Sequence, residues 1–98
     1  MSLIEFFIEG DLGKISGELT RSTVPIISTK QRKRFLSQSS ATLDLAAVSK
    51  VDTAGLSWLF VLVEEAKVKN CQLKFFNAST ELIKLAALSS VDNLLPIE

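Results

Sequence analysis

Residues 43–67, LDLAAVSKVDTAGLSWLFVLVEEAK, decide the fold of this chain. The stretch begins inside an apolar segment, residues 41–46, that is typical of a strand. It then passes through the turn Asp52-Thr53-Ala54-Gly55. Asp52 suits the cap of a helix, because its carboxylate can accept hydrogen bonds from the free amides of a first helical turn and complements the helix dipole. The stretch therefore predicts a strand that leads directly into a helix running to about residue 69.

The segments on either side extend this pattern along the whole chain. Strands are predicted over residues 3–8, 14–19 and 71–76, and turn chemistry at residues 9–13 joins the first two as a hairpin. Ser22, Thr23 and Pro25 predict the start of a first helix that ends near residue 37, and Ser79 is predicted to cap a last helix. The order is β-β-α-β-α-β-α, an α/β fold whose later strands should be parallel. The buried strands read as apolar on both faces, so we expect helices to cover the sheet.

Length and charge limit what the chain can do. It has 98 residues with no internal repeat or linker, which predicts a single domain over residues 1–98. Its 11 basic and 11 acidic residues cancel, but the net charge is −3 over residues 1–20, +5 over 21–50 and −2 over 51–98. A net charge of zero argues against nucleic acid as a partner. The chain has no His, and the single Cys71 cannot make an internal disulfide or a four-ligand zinc site, so we expect no catalysis, no cofactor and no metal.

The helix after the turn is apolar on nearly all sides, which predicts a contact surface. Only Ser57 is polar between residues 56 and 63, whereas a surface helix normally carries a polar face. One stripe can face the sheet, but Trp58, Val61 and Leu62 fall on other faces, where neighbouring elements or another protein must cover them. Tryptophan is enriched at binding hot spots, so we expect an exposed patch with Trp58 as an anchor beside Thr53.

Thr53 is the candidate for modification. At or near the first helical position its hydroxyl would be exposed beside free backbone amides that favour an anion. A phosphate there would add about −1.5 to −2 charges. The helix dipole would favour that phosphate, and the neighbouring Asp52 would oppose it.

In this context the sequence resembles a known family. The DTAG turn at residues 52–55, between an apolar strand and an apolar helix, and the GEL at residues 17–19 are similar to those of STAS domains. That family includes anti-sigma factor antagonists and the small cytoplasmic STAS subunit of the Mla phospholipid-transport ABC transporter. The chain is more similar to the transporter subunit, since it is short and finishes with a Leu-Leu-Pro tail. The resemblance implies a small, mixed and mostly parallel sheet with helices mainly on one face.

The resemblance also implies a function. In the transporter subunit the turn and helix dock on the ATPase subunit and support its activity, so our leading hypothesis is a non-enzymatic interaction subunit of such a transporter. In antagonists the residue at the place of Thr53 is phosphorylated to release a partner kinase, which is the alternative. A STAS module with some other partner, such as a nucleotide, is a third hypothesis. The residues implied to bind the partner are Asp52, Thr53, Ala54, Gly55, Leu56 and Trp58, with Thr53 as the possible phosphorylation site.

Three further features bear on location and chemistry. The first nine residues carry two acids and no basic segment, and the longest apolar stretch, residues 58–63, is far shorter than the ~20 residues needed to cross a bilayer. We therefore expect a cytoplasmic protein, held at the cytoplasmic face of the inner membrane through its complex.

The basic run at residues 30–34, KQRKR, could touch anionic headgroups, although a solvated helix face is the interpretation that we favour. Asp44 and Asp52 are better read as strand-end and cap residues than as a catalytic pair.

Overall fold

The computed structural model describes residues 3–98, and they form one sheet of four strands packed against three helices. The strands are β1 (Ile4–Glu9), β2 (Leu12–Leu19), β3 (Ser40–Val51) and β4 (Gln72–Phe76), and the helices are α1 (Thr29–Phe35), α2 (Thr53–Val68) and α3 (Thr80–Leu88). The strands lie in the order β1-β2-β3-β4. β1 and β2 are antiparallel, and the other two pairs are parallel. The α/β fold with a mixed, mostly parallel sheet is therefore confirmed.

The sheet is covered on one face only. Ile15, Leu43 and Phe75 point to the covered face and are fully buried, whereas Lys74 and Phe76, the sequence neighbours of Phe75, are exposed. The prediction of helices mainly on one face is confirmed. The interpretation of the strands as apolar on both faces is wrong, because buried and exposed side chains alternate along them with the period of two that a half-covered sheet requires.

The first helix begins later than predicted. Residues 22–25 do not start it; instead a short 3₁₀ helix, Val24–Ile26, precedes α1, and Ser28 caps α1 by accepting a hydrogen bond from the Gln31 amide. Pro25 fits the short helix because it lies in its first turn, where an amide hydrogen has no helical partner. The basic run therefore occupies a helix of only seven residues, which ends at the buried Phe35.

Two strands and the C-terminal tail also differ from the predicted bounds. β2 begins two residues earlier, and β3 continues through Val51 to meet α2 directly, because its later residues still pair with β2. The tail lies along the outer edge of β4, where the Phe75 amide donates to the Pro96 carbonyl oxygen at 2.8 Å and the Glu98 amide donates to the Phe75 carbonyl oxygen at 2.9 Å. The tail thus extends the parallel part of the sheet by one short bridge.

Candidate functional site

The candidate site lies where β2 and β3 end and α2 begins. Asp52 links these segments: its amide donates to the carbonyl oxygen of Leu19, at the end of β2, at 3.3 Å. Its Oδ1 accepts the Gly55 amide at 2.9 Å, and its Oδ2 accepts the Arg21 amide at 3.0 Å. The predicted role of Asp52 as the cap of α2 is confirmed. The same carboxylate also holds the loop after β2, because its two oxygens accept from different segments.

The loop after β2 is shaped by the buried hydroxyl of Thr23, a residue that we expected at the start of a helix. Thr23 is fully buried, and its Oγ1 accepts the Thr20 amide at 2.9 Å and lies 2.7 Å from the Glu18 carbonyl oxygen, to which it can donate. This side-chain turn orients the Arg21 amide toward Asp52. Arg21 and Thr23 are therefore site residues that we did not predict. The Ser-Thr pair at residues 22–23 was a signal, but it fits a helix cap as well as a turn.

Gly55 allows α2 to approach the end of β2 closely. The residue is buried, and a methyl group in the place of its hydrogen would overlap the Leu19 carbonyl oxygen. The glycine of the DTAG turn is thus required by packing between backbone segments. Because Gly55 is buried, what the structure shows of it at the site is that it positions the turn.

Thr53 is exposed at the first position of α2, as predicted. Ser57 and Val61 follow at intervals of four residues and are exposed too, with 43% of Val61 accessible, so the three share one side of the helix. We call Thr53, Ser57 and Val61 the outer stripe of α2. The half-buried Ala54 borders it. The outer stripe is the part of α2 that a partner can reach at this end.

The expectation that Trp58 lies in an exposed patch is wrong. Only 4% of Trp58 is accessible, and its ring packs edge-to-face against Phe6 of β1, with centroids 6.1 Å apart. Leu56 is equally buried and faces the core. The reason is that Phe6 of β1 and the 3₁₀ helix after β2 pack against α2, so the apolar sides of this helix belong to the core. As folded, Trp58 and Leu56 therefore offer almost no surface to a partner.

The charge at the site is set by Asp52. The pKa of its carboxyl is lowered from its ordinary value of 3.8, first by the hydrogen bond from the Arg21 amide, then by the one from Gly55, with the charge of Arg21 adding to the effect. Asp52 is therefore ionised at neutral pH, beside the positive end of α2. A separate carboxyl, that of Asp44, accepts the Asn77 side-chain amide at 3.0 Å, which lowers its pKa. The two acids have different partners. Asp52 has the cap role expected of it. The expected strand-end role of Asp44 is wrong, because β3 continues to Val51 and Asp44 lies inside it, opposite the last residue of β4.

The edge of the site is formed by α3. The Val51 amide donates to Glu81 Oε1 at 3.3 Å, which joins the end of β3 to the first turn of α3. Within residues 3–98 no group of three or more His, Cys, Asp or Glu side chains is arranged to hold a metal ion. Cys71 is buried, and its burial raises the pKa of the thiol. The site thus presents the Asp52 carboxylate and the outer stripe of α2, with two hydroxyls and one valine side chain.

Comparison with known proteins identifies the family. The family model described as "Mlab, STAS domain" matches residues 13–96. That range includes β2 except its first residue, β3, β4 and all three helices, and with them every residue of the candidate site. The match therefore covers most of the chain.

Solved structures with this fold include anti-sigma factor antagonists. One from Mycobacterium paratuberculosis superposes with a TM-score of 0.74 at 17% identity, covering 96% of this chain and 82% of its own. A STAS domain protein from Planctomyces limnophilus, described as an anti-sigma factor antagonist, gives 0.69 at 17% identity over 96% and 87%. The antagonist SpoIIAA in its unphosphorylated form gives 0.65 at 13% identity over 97% and 87%. These likenesses concern the fold, and together with the family model they show that the chain belongs to the STAS domain family.

Proposed function

We propose that this chain is a non-enzymatic interaction subunit that binds and supports the ATPase subunit of a phospholipid-transport ABC transporter of the Mla type. The observation that carries the proposal is the exposed outer stripe of α2, which begins beside Asp52. The turn at residues 52–55 and the stripe both lie within the range matched by the "Mlab, STAS domain" model. The complex would hold the chain at the cytoplasmic face of the inner membrane. The helices of residues 3–98 lack the length and hydropathy for a membrane crossing of their own.

The chemistry of the site supports a protein partner. The Thr53 hydroxyl can donate to or accept from a partner's backbone, and Val61 offers apolar area at the centre of the exposed side of α2. The turn is rigid, because Asp52 and Gly55 tie it to the end of β2. A rigid platform lowers the ordering cost of binding, so a small stripe can contribute useful affinity.

The experiment is co-purification of the chain with the ATPase and permease subunits, comparing Thr53→Glu with Thr80→Glu. Both threonines are exposed first residues of a helix that follows a side-chain cap, so the two changes are matched in charge and position. Thr53→Glu should weaken the complex by about 30-fold or more, as expected for a hot-spot residue, and Thr80→Glu should not. An intact complex with Thr53→Glu would contradict the proposed interface.

A second variant tests for an interface on the outer stripe that does not involve the Thr53 hydroxyl. Val61→Glu places a charge on the outer stripe without touching the turn, and we expect it to weaken the complex as well. Trp58→Ala does not test the interface, because Trp58 is buried and its truncation should destabilise the fold by about 3–5 kcal/mol. Circular dichroism of each variant separates lost binding from lost folding.

A second candidate function is an antagonist of an anti-sigma factor, switched by phosphorylation of Thr53. The observation that favours it is the exposure of Thr53 at the start of α2, in a fold shared with proteins described as anti-sigma factor antagonists. A phosphate would gain from the helix dipole and from Arg21, against repulsion by Asp52. This function predicts phosphothreonine at residue 53 in mass spectra of the protein from cells. Unmodified Thr53 under every growth condition would count against it.

A further inference from the structure

The basic run in α1 is the feature that the proposed function does not use. Within α1, Arg32 turns inward to Glu65 of α2, where Nη2 and Oε1 are 2.7 Å apart and both side chains are mostly buried. Lys30, Lys33 and Arg34 remain exposed, and none of them makes an ion pair with any side chain that the structure describes. The run therefore contributes one internal ion pair, through Arg32, and a set of exposed cations.

A second element adds to that set. Lys69, at the C-terminal end of α2, reaches the Lys33 carbonyl oxygen with its Nζ at 3.4 Å, so the two lysines are neighbours although they lie 36 positions apart. Lys30 and Lys33 share a side of α1, since residues three apart on a helix are adjacent. Between the two helices Val68 projects outward with 83% of its surface exposed. It lies in a shallow groove that is also lined by Lys33, Lys69, Glu64 and Glu65. We call Lys30, Lys33, Lys69 and Val68 the lysine patch.

The acidic side chains near the lysine patch are paired with cations outside the patch. Glu65 is paired with Arg32, and Glu64 lies 3.8 Å from Lys67 on its own helix. Arg34 lines a different groove, with Gly10, Ser37 and Gln38, so it is not part of the lysine patch. The cations that remain effective are the three lysines of the patch.

We propose that the lysine patch rests on an anionic phospholipid surface. Lysines around a projecting apolar side chain suit a headgroup region, because their ammonium groups reach lipid phosphates while the stems and Val68 approach the acyl boundary. A protein partner is the less favoured occupant, since protein interfaces are enriched in Arg and depleted in Lys, and here Arg32 is used internally. The net charge of the chain is zero, so the attraction is local and orients the molecule.

The patch leaves the outer stripe of α2 free. α2 has 16 residues, so Thr53 and Val68 are about 23 Å apart along its axis. Three lysines and one valine give a weak membrane contact that acts as a second point of attachment, beside a protein complex, rather than as a sole anchor. The proposal stands whether the partner at Thr53 is an ATPase or a kinase.

The test is flotation of the purified chain with vesicles of phosphatidylglycerol mixed with phosphatidylcholine, beside vesicles of phosphatidylcholine alone. We expect binding to the anionic vesicles only, and a steep loss of binding at high salt because salt screens exposed charges. Equal binding to both vesicles, or to neither, overturns the proposal. Binding to polyglutamate without binding to anionic vesicles assigns the patch to an acidic protein instead.

The variants locate the contact. Lys30→Gln, Lys33→Gln and Lys69→Gln together should reduce partitioning by about 100-fold, whereas a control with the same loss of charge elsewhere should not. The control replaces Lys14, Lys50 and Lys84 by Gln. An equal loss in both triple variants, or no loss in the first, overturns the proposal.

A second pair of variants serves if the triple variant fails to fold. Val68→Ser should lower partitioning by about five-fold, and Leu88→Ser, at an equally exposed position with 85% accessible, should leave it unchanged. Equal effects of these two changes overturn the proposal. Thr53→Glu should keep its vesicle binding, so failure of the patch and failure of the proposed ATPase docking are distinguishable.

Discussion

The N-terminal end of α2 is fixed by backbone groups of other segments, whereas its C-terminal end meets α1 through side chains. At the first end Asp52 donates to Leu19 and accepts from Arg21, and Gly55 lies against the same strand end. At the other end the Arg32–Glu65 ion pair and the Lys69 ammonium make the long-range contacts.

This difference indicates which end of α2 can bind a partner in one defined geometry. Backbone contacts fix positions to a fraction of an ångström and leave few alternatives, which suits a site that must present Thr53 in one geometry. Long lysine side chains keep many rotamers, which suits a surface that attracts charge without exact fit. The C-terminal end is also closed locally: the Asn70 amide donates to Lys67, the Cys71 amide donates to Ala66, and Asn70 has a left-handed φ of 56°.

The strongest test of the backbone-fixed end is Gly55→Ala. The added methyl group would overlap a main-chain oxygen that cannot rotate away, so we expect a loss of about 3 kcal/mol in the free energy of unfolding. Urea denaturation measures it. Ser57→Ala, on the exposed side of the same helix, should change stability by less than about 0.5 kcal/mol. A tolerated Gly55→Ala would mean that α2 and β2 are not held as closely as described.

The next test concerns Asp52 and pH. Its pKa is lower in the folded state than its ordinary value of 3.8, so its charge stabilises the fold above that pH, and this stability is lost as pH falls through the folded pKa. Asp52→Ala should cost about 1–2 kcal/mol at neutral pH and progressively less in acid.

Ser79→Ala is the matched control for that variant. Ser79 caps α3 through the Leu82 amide at 3.0 Å but carries no charge, so its cost should not change between neutral and acid pH. Unfolding curves across the acid range compare the two. Parallel curves for the two variants would show that the Asp52 carboxylate acts without its charge.

The smallest effect is expected at the C-terminal end. Asn70→Ala should cost about 1 kcal/mol, because alanine is strained at a positive φ and asparagine is less so. Lys67→Ala, in the last turn of the same helix, should cost less than about 0.5 kcal/mol. Thermal unfolding checks both. A cost at Asn70 equal to that at Gly55 would remove the contrast between the two ends.

The element order, the cap of α2 and the exposure of Thr53 could be predicted from the sequence, because they depend on local chemistry. Apolar segments, turn residues and an acid before a helix each act within a few positions. The start of α1 could not be predicted, since hydroxyls at residues 22–23 and at residue 28 are equally able to cap a helix. Thr23 is used in a turn because the end of β2 supplies its partners.

The fate of Trp58 could not be predicted either. An apolar helix face looks the same in sequence whether a neighbouring element or another protein covers it. In the fold Phe6, Phe35 and Trp58 form a chain of edge-to-face contacts, with centroid distances of 5.6 and 6.1 Å. Those contacts join β1, α1 and α2, so they exist only once the chain has folded.

By itself, then, the sequence determined an α/β domain with a capped helix that starts at an exposed threonine. The tertiary structure alone decided which sides of that helix remain accessible, because burial depends on residues far apart in the chain. It also decided that the basic run is divided between an internal ion pair and the lysine patch, since Glu65 and Lys69 reach α1 from another helix. Local patterns set the elements, and packing between them sets the surfaces that a partner or a membrane can meet.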